Sequence, residues 1–326
     1  MPTLSQMVTS ALLAITALLP NVAAAQANYP VKPIRLIIPF PAGGGPDVIM
    51  RRASNELQQR IGQGFVIDNR GGGNFVIGAE ACARSAGDGY TVCHVNSTQF
   101  SVNPHVMAKL SYDVEKDFRP ITNLYNLVSG VFVSAALAPN TLKEFEALVK
   151  SKPAAMNMST HGPNTPTDVY RRWLNERWGT DMTGIGYKDG TAMISALMAG
   201  DVQFVWIGFF NALGQMQAKK VKMLAVSSQK RYPLFPEVPT FDEAGIADAP
   251  MTSWQGLAGP GGLPEPMVRR INTEIVRLFN EPEFGKFLVS QGLDNLVGTP
   301  EAFAAFMRKD RAEAGEVIRR FNIPRE

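Results

Sequence analysis

A glycine-rich turn near the N-terminus is the feature of this sequence best suited to bind an anion. Residues 36–38 form an apolar run typical of a buried strand, Gly43, Gly44 and Gly45 follow, and apolar residues then recur near i+4 spacing up to Ile61. A turn that ends at a helix N-terminus leaves backbone N–H groups unpaired, and the helix dipole adds to their attraction for negative charge. Glycine has no Cβ and lets a ligand come close to the backbone. An ordinary strand-to-helix turn fits the same pattern, and no Gly-Lys-Ser/Thr of a nucleotide-binding loop follows.

Residue types that support catalysis or metal binding are present, but they form no recognisable motif. The three histidines show no HExxH spacing, and the sequence contains neither a Cys/His ligand set nor a GxSxG turn. Asp47, Asp168 and Asp189 could form an acid/base pair, although solvated or helix-capping roles are the usual ones for such residues. We therefore predict no catalytic residue, no metal ligand and no cofactor. A hydrolase or an isomerase stays open as an alternative.

The first 25 residues have the character of a secretory signal peptide. They contain no charged residue, include an apolar stretch over 11–19 and end in Ala23-Ala24-Ala25 before Gln26. The pattern departs from the usual one because a basic segment is missing. The apolar stretch is too short to span a membrane. We predict cleavage before Gln26 and a periplasmic mature protein.

Composition narrows the class of protein further. The chain has 326 residues and a net charge of +3, with no long run of Lys or Arg, so no nucleic-acid partner is predicted. A mature chain of about 300 residues usually folds as two domains. The two cysteines, Cys82 and Cys93, fall on a helix-like and a strand-like stretch. We expect them to be separate small core residues, with a disulfide as the alternative.

Short apolar strands alternate with helical patterns along the whole chain, which predicts parallel or mixed sheets with helices on both faces. The predicted strands are 35–39, 65–68, 90–95, 131–134, 156–159, 202–207 and 223–226. The predicted helices are one that follows Pro46, 77–85, 141–149 with Thr141 as its cap, 168–177, 191–199, 266–279 and 300–321.

Many short segments, each weak alone, occur together in a characteristic order. They are YPVKPIR from residue 29, the 39–47 loop, DNR at 68, DGYT at 88, VNP at 102, GYK at 186, LAVS at 224, PEVPT at 236, SWQGL at 253 and GTPE at 298. In this order the mature chain resembles the Bug-type extracytoplasmic solute receptors of tripartite tricarboxylate transporters.

The resemblance implies an α/β fold of the type II periplasmic-binding-protein kind. It has two domains with mixed sheets, helices on both faces and a ligand cleft between the domains. We expect residues 26–124 and 254–326 to form domain 1 and residues 125–253 to form domain 2. A monomer is expected, which delivers a small carboxylate-bearing ligand to membrane transporter subunits. A sensor that reports ligand occupancy to a membrane kinase is an alternative.

The resemblance also implies which residues line the cleft. From domain 1 these are Phe40, Pro41, Ala42, Gly43, Gly44, Asp47, Ser97 and Thr98. From domain 2 they are His161, Gly162, Thr165, Thr167, Gly190 and Ile207. Hydroxyls and a helix N-terminus in the second set could donate to a carboxylate. Thr165 and Thr167 could instead cap the following helix, and His161 could merely cap a turn.

Departures from the family pattern bear on the ligand. Ile207 stands where the family commonly has an acidic residue that suits a ligand ammonium, so an amino acid is not expected. We interpret Trp206, Phe209 and Phe210 as core residues. If they face the cleft, they favour an aromatic or apolar acid, as does Phe75. We therefore predict a carboxylate without an amino group and with an aromatic or apolar body.

Overall fold

A computed structural model describes residues 29–152, 155–251 and 253–325. The predicted signal peptide and its cleavage site lie outside these residues. Among the described residues, none of the helices combines the length and the apolar character needed to cross a membrane.

Eleven strands and ten α-helices make up the described chain. The strands are β1 Ile34–Ile38, β2 Phe65–Asn69, β3 Thr91–Asn96, β4 Phe118–Leu127, β5 Ser129–Ser134, β6 Asn157–Thr160, β7 Thr183–Gly186, β8 Val205–Gly208, β9 Val221–Val226, β10 Trp254–Pro260 and β11 Leu293–Asn295. The helices are α1 Gly45–Ile61, α2 Val76–Ala83, α3 Asn103–Val106, α4 Leu142–Ser151, α5 Pro166–Trp178, α6 Gly190–Ala199, α7 Leu213–Gln217, α8 Glu265–Phe279, α9 Pro282–Ser290 and α10 Pro300–Arg320.

The first sheet has six strands in the order β11-β4-β10-β3-β1-β2. Strands β1, β2 and β3 are parallel, whereas β10 runs antiparallel to β3 and β4. Side chains alternate between the two faces of a strand. Leu36 and Ile38 therefore pack with α1, α8 and α9, and Ile37 packs with α2 and α10 on the other face.

A second set of strands forms around β5. Strands β8 and β9 pair antiparallel to β5, and the parallel pair β6-β7 joins β8 through a bridge between Met158 and Phe204. Helices α4 and α5 cover one face and α6 covers the other. Helices on both faces agree with the sequence prediction.

The chain passes directly from the first sheet to the second. Strand β4 ends at Leu127 and β5 begins at Ser129, and the return leads through Ser253 into β10. The N–H of Leu127 donates to Ser253 O at 2.9 Å, and that of Val128 donates to Gly292 O at 3.0 Å. The first hydrogen bond holds the two crossing segments side by side, and the second ties the outgoing segment to the residue before β11.

The predicted strands and helices are confirmed, with ends that shift by a few residues. Thr141 caps α4 through a 3.1 Å hydrogen bond from Glu144 N, and α1 stops at Gly62 with a left-handed φ of 71°. The sequence analysis missed the strands β4, β7, β10 and β11 and the helices α3, α7 and α9. Strand β10 contains Gly256, a residue that is unusual inside a strand. Glycine is needed there because the ring of Phe303 on α10 occupies the space of a Cβ.

The prediction that Cys82 and Cys93 remain separate is wrong. Both residues are buried as expected, but they form a disulfide, with their Cα atoms 6.1 Å apart. Helix α2 packs on the face of the sheet that Cys93 shares with Ile37, and this packing brings the helix residue opposite the strand residue.

Candidate ligand-binding site

The loop between β1 and α1 is a tight turn with its own internal hydrogen bonds. Gly44 N donates to Pro41 O at 3.1 Å, and Gly43 has a φ of 79°, a conformation that favours glycine. The N–H of Gly43 donates to Asp47 Oδ2 at 2.9 Å. These hydrogen bonds hold the shape of the turn.

The buried side chain of Asp47 holds this loop in place. It is only 2% exposed, and Arg51 Nε donates to its Oδ2 at 2.8 Å while Asn69 Nδ2 donates to its Oδ1 at 3.0 Å. Burial is the largest influence and opposes ionisation, but the hydrogen bonds from Arg51, Gly43 and Asn69 together hold the pKa of Asp47 below its usual range. Both carboxylate oxygens serve the loop, so Asp47 positions the site.

Some backbone donors of the loop have no hydrogen-bond partner within the described residues. Within the described part of the chain, the N–H groups of Ala42 and Gly45 make no hydrogen bond to another residue. Both residues are exposed, and they stand at the N-terminus of the 17-residue helix α1. A carboxylate fits such a position because the donors and the helix dipole act together.

Ser97 and Thr98 lie at the same edge of the sheet as this loop, because β3 runs parallel to β1. They begin a short π-helix after β3. Gln99 braces that helix, since its Oε1 accepts from Asn96 N and its N–H donates to Asn96 Oδ1, both at 3.1 Å. The sequence-predicted residues of the first sheet are therefore neighbours along one edge.

The loop between β6 and α5 repeats the design of the first loop. Asn164 has a left-handed φ of 62°, and its N–H donates to Asp168 Oδ2 at 3.2 Å. Asp168 is 4% exposed and is paired with Arg171 and Arg172, each at 2.8 Å. Burial again opposes ionisation, but these hydrogen bonds and charges lower the pKa of Asp168.

Arg172 connects the second loop to the C-terminal helix. Its guanidinium donates to Asn164 Oδ1 at 3.0 Å and to Phe321 O at 3.0 Å, besides the carboxylate of Asp168. Arg172 therefore links Phe321, the residue that follows α10, to Asn164 in the second loop.

The threonine hydroxyls of the second loop form hydrogen bonds within the loop itself. Thr165 Oγ1 donates to Gly162 O at 2.7 Å, and Thr167 Oγ1 accepts from His161 N at 2.8 Å. Thr165 occupies the capping position of α5, but its side chain makes no capping hydrogen bond, so the simple capping interpretation is wrong. Desolvation lowers the pKa of His161, against the opposing charge of Asp189.

Gly190 lies against the side chain of Ile207. A Cβ on Gly190 would lie 2.5 Å from Ile207 Cδ1 and 2.6 Å from Asn211 Oδ1, so a larger residue would displace these two side chains. Asp189 caps α6 by accepting from Ala192 N at 2.8 Å, in agreement with a capping role.

The three aromatic residues near the end of β8 separate into two groups. Trp206 is 2% exposed and stacks on Tyr170 with ring centroids 4.3 Å apart, and Phe209 is fully buried. The core prediction is confirmed for both. It is wrong for Phe210, which is 54% exposed, because the strand ends at Gly208 and a short 3-10 helix turns the next side chain outward.

Several residues that shape the site were not predicted. Arg51, Asn69 and Arg172 hold the two buried carboxylates. The signal for the two arginines was the Asp-to-Arg spacing of i+4 at the start of both helices, whereas Asn69 lies 22 positions from Asp47. In the described residues, no group of three His, Cys, Asp or Glu side chains could hold a metal ion.

A family model described as "Tripartite tricarboxylate transporter family receptor" matches residues 49–323. The chain belongs to this family. It is a solute receptor of the Bug type, and the proteins of this family are substrate-binding receptors that work with tripartite transporters. The expectation drawn from the sequence landmarks is thereby confirmed.

Individual relatives of this receptor agree. A protein encoded in the tcbD–tcbE intergenic region of Pseudomonas sp. strain P51 is 28% identical over 90% of this chain and 88% of its own. The periplasmic binding protein BugD is 26% identical, with a TM-score of 0.71 over 91% of this chain and all of its own. The MatC protein of Rhodopseudomonas palustris, solved with bound malate, is 26% identical, with a TM-score of 0.67 over 89% of this chain and all of its own. The predicted two-domain fold of a periplasmic binding protein is confirmed.

Proposed function

We propose that this receptor binds a small carboxylate without an amino group and delivers it to membrane subunits of a tripartite transporter. The observation that carries the proposal is the repeated loop design. Each loop is held by a buried aspartate in the first turn of a helix, namely Asp47 in α1 and Asp168 in α5. In the first loop this arrangement leaves backbone donors free at a helix N-terminus. A carboxylate complements that arrangement, and the malate bound to MatC is one.

The proposed cleft lies between domain 1, residues 26–124 and 254–326, and domain 2, residues 125–253. Strand membership supports this division, since β4 and β10 belong to the first sheet and β5 and β9 to the second. Phe40, Pro41, Ala42, Gly43, Gly44, Ser97 and Thr98 would face the ligand from domain 1, and His161, Gly162, Thr165, Thr167, Gly190 and Ile207 from domain 2. Asp47 acts through the loop.

Two features support a ligand without an ammonium group. Ile207 offers no carboxylate, and Asp47 and Asp168 already serve loop donors and arginines. An ammonium that lost its water without gaining a partner would be costly to bury. The half-buried rings of Phe40 and Phe75 and the exposed ring of Phe210 instead favour an apolar ligand body.

Export to the periplasm is part of the proposal. It rests on the charge-free N-terminal segment with its alanine-rich end, and the Cys82–Cys93 disulfide suits an oxidising compartment. A monomer is proposed for the mature protein. N-terminal sequencing of protein recovered from the periplasm should begin at Gln26, and an intact Met1 would contradict export by this route.

Calorimetry with purified mature protein tests the ligand class. The panel contains benzoate-type acids, adipate, malate and citrate, with aspartate and glutamate as amino-acid comparisons. A ligand present at 100 times its Kd should stabilise the protein by about 2.7 kcal/mol, which a thermal shift resolves. Binding of aspartate or glutamate, with no response to acids that lack an amino group, would contradict the proposal.

A further inference from the structure

Four consecutive residues beside the glycine loop adopt left-handed backbone conformations. The φ angles are 107° at Gly72, 56° at Gly73, 52° at Asn74 and 69° at Phe75. Glycine and asparagine tolerate this region, but a phenylalanine rarely adopts it. Strained residues of this kind persist where the surrounding structure holds them in place, and they cluster at ligand sites.

Buried amides hold this strained segment. Gln99 Nε2 donates to Phe75 O at 3.0 Å, and Asn103 Nδ2 donates to Asn74 O at 2.9 Å. Both amide side chains are almost fully buried. Gln99 also braces the turn that starts at Ser97, so the same side chain supports two parts of the candidate site.

The left-handed conformation brings the Phe75 ring against the ring of Phe40. The ring centroids are 4.9 Å apart with a tilt of 46°, and both rings are only half-buried. Phe40 lies at the start of the loop that exposes the free N–H groups of Ala42 and Gly45. The buried ring of His94 packs edge-to-face with the Phe40 ring, with the ring centroids 5.7 Å apart. The two phenylalanines thus form an aromatic wall next to the carboxylate donors.

We propose that Phe75 is a specificity-determining residue, whose ring forms with Phe40 the surface on which a flat aromatic ligand body packs. The inference rests on the proposed function and narrows it to aromatic carboxylates. Offset or edge-to-face packing of rings at 4.5–7 Å adds attraction beyond the burial of apolar area. An aliphatic carboxylate would gain less from this wall.

Removal of the ring without harm to the fold tests the inference. Phe75→Gly and Phe75→Asn place residues that tolerate a left-handed φ at this position, so both variants should fold as well as the natural protein. We expect affinity for benzoate and 4-hydroxybenzoate to fall at least tenfold, while affinity for adipate changes less than threefold. Phe75→Tyr should retain the preference for the aromatic acids. Lys219→Gly relieves a left-handed φ of 55° in another turn, so it is the matched control for a change in backbone strain alone.

The outcomes separate this inference from the proposed function. An equal loss for aromatic and aliphatic acids, or no loss in either Phe75 variant, would overturn the role of Phe75. If the natural protein binds aliphatic carboxylates only, the aromatic specificity is overturned and the proposed function stands. If it binds no carboxylate at all, both are overturned.

Discussion

The carboxylate of Asp168 accepts a hydrogen bond from the backbone N–H of Asn164, four residues earlier, at 3.2 Å. The N–H of Gly43 is bound in the same way by Asp47 at 2.9 Å. In each case the N–H belongs to a left-handed residue, and an arginine four residues further on pairs with the carboxylate. The two candidate loops therefore have one construction, although they lie on different sheets.

Loss of the buried charge should loosen each loop. We expect Asp47→Asn and Asp168→Asn each to lower the free energy of unfolding by about 2 kcal/mol, because a hydrogen bond to a charged group is lost. Ligand affinity should fall as well. Chemical denaturation and calorimetry measure the two effects. Asp248→Asn, at an exposed ion pair with Arg177, is the control and should change little. Stability equal to that of the natural protein would contradict the anchoring role.

The link from α10 to the second loop should also matter for binding. Arg172→Lys keeps the charge, but a single ammonium cannot reproduce the fork that reaches Asn164, Asp168 and Phe321 at once. We expect a five- to tenfold weaker Kd, which corresponds to about 1 kcal/mol. Arg177→Lys, on the same helix, is the matched control. If the two variants bind equally well, Arg172 does not position the loop.

A side chain on Gly44 should disturb the first loop. A Cβ there would lie 3.1 Å from Pro41 O, and a branched side chain would add further bulk to this tight turn. We expect Gly44→Val to weaken binding at least tenfold and Gly44→Ala to weaken it less. Gly285→Ala, in α9 with open space around it, controls for a generic glycine effect. If folded Gly44→Val protein binds the ligand as tightly as the natural protein does, the prediction is wrong.

Acid should destabilise the protein through His94. Burial lowers its pKa to about 3, and Tyr125 and Phe40 pack against the imidazole. The unfolded histidine takes up a proton below about 6.5 while the folded one stays neutral. The free energy of unfolding should therefore decrease as the pH is lowered through this window. The slope should approach about 1.4 kcal/mol per pH unit.

Denaturant titrations between about pH 4.5 and 7 test this effect before most carboxylates titrate. His94→Gln should flatten the slope, and His105→Gln serves as the comparison. An identical slope in His94→Gln and the natural protein would show that another group controls it.

The Cys82–Cys93 disulfide should be present and stabilising. Alkylation of denatured, unreduced protein should modify no thiol, and reduction should expose two. The double replacement by serine should lower stability by about 3 kcal/mol, because the unfolded chain regains conformational freedom. Two alkylated thiols before reduction would contradict the pairing.

The sequence by itself determined the elements whose signals are local. Helix α8 was predicted at 266–279 and spans Glu265–Phe279, because its apolar side recurs at helical spacing. The cap at Thr141 and the stop at Gly62 depend only on residues a few positions away. The family was equally accessible, since its landmarks are short segments in a fixed order along the chain.

Only the tertiary structure decided features that join distant residues. Strand β10 carries Gly256 because the ring of Phe303, 47 positions later, occupies the space of a side chain. Cys82 meets Cys93 because α2 packs on one face of the sheet. Asp47 turns inward because Gly43, Arg51 and Asn69 together offset the cost of burying its charge. For Asp47 the arginine at i+4 is a local signal, but Asn69 lies 22 positions away. Each of these outcomes depends on which surfaces come together when the chain packs.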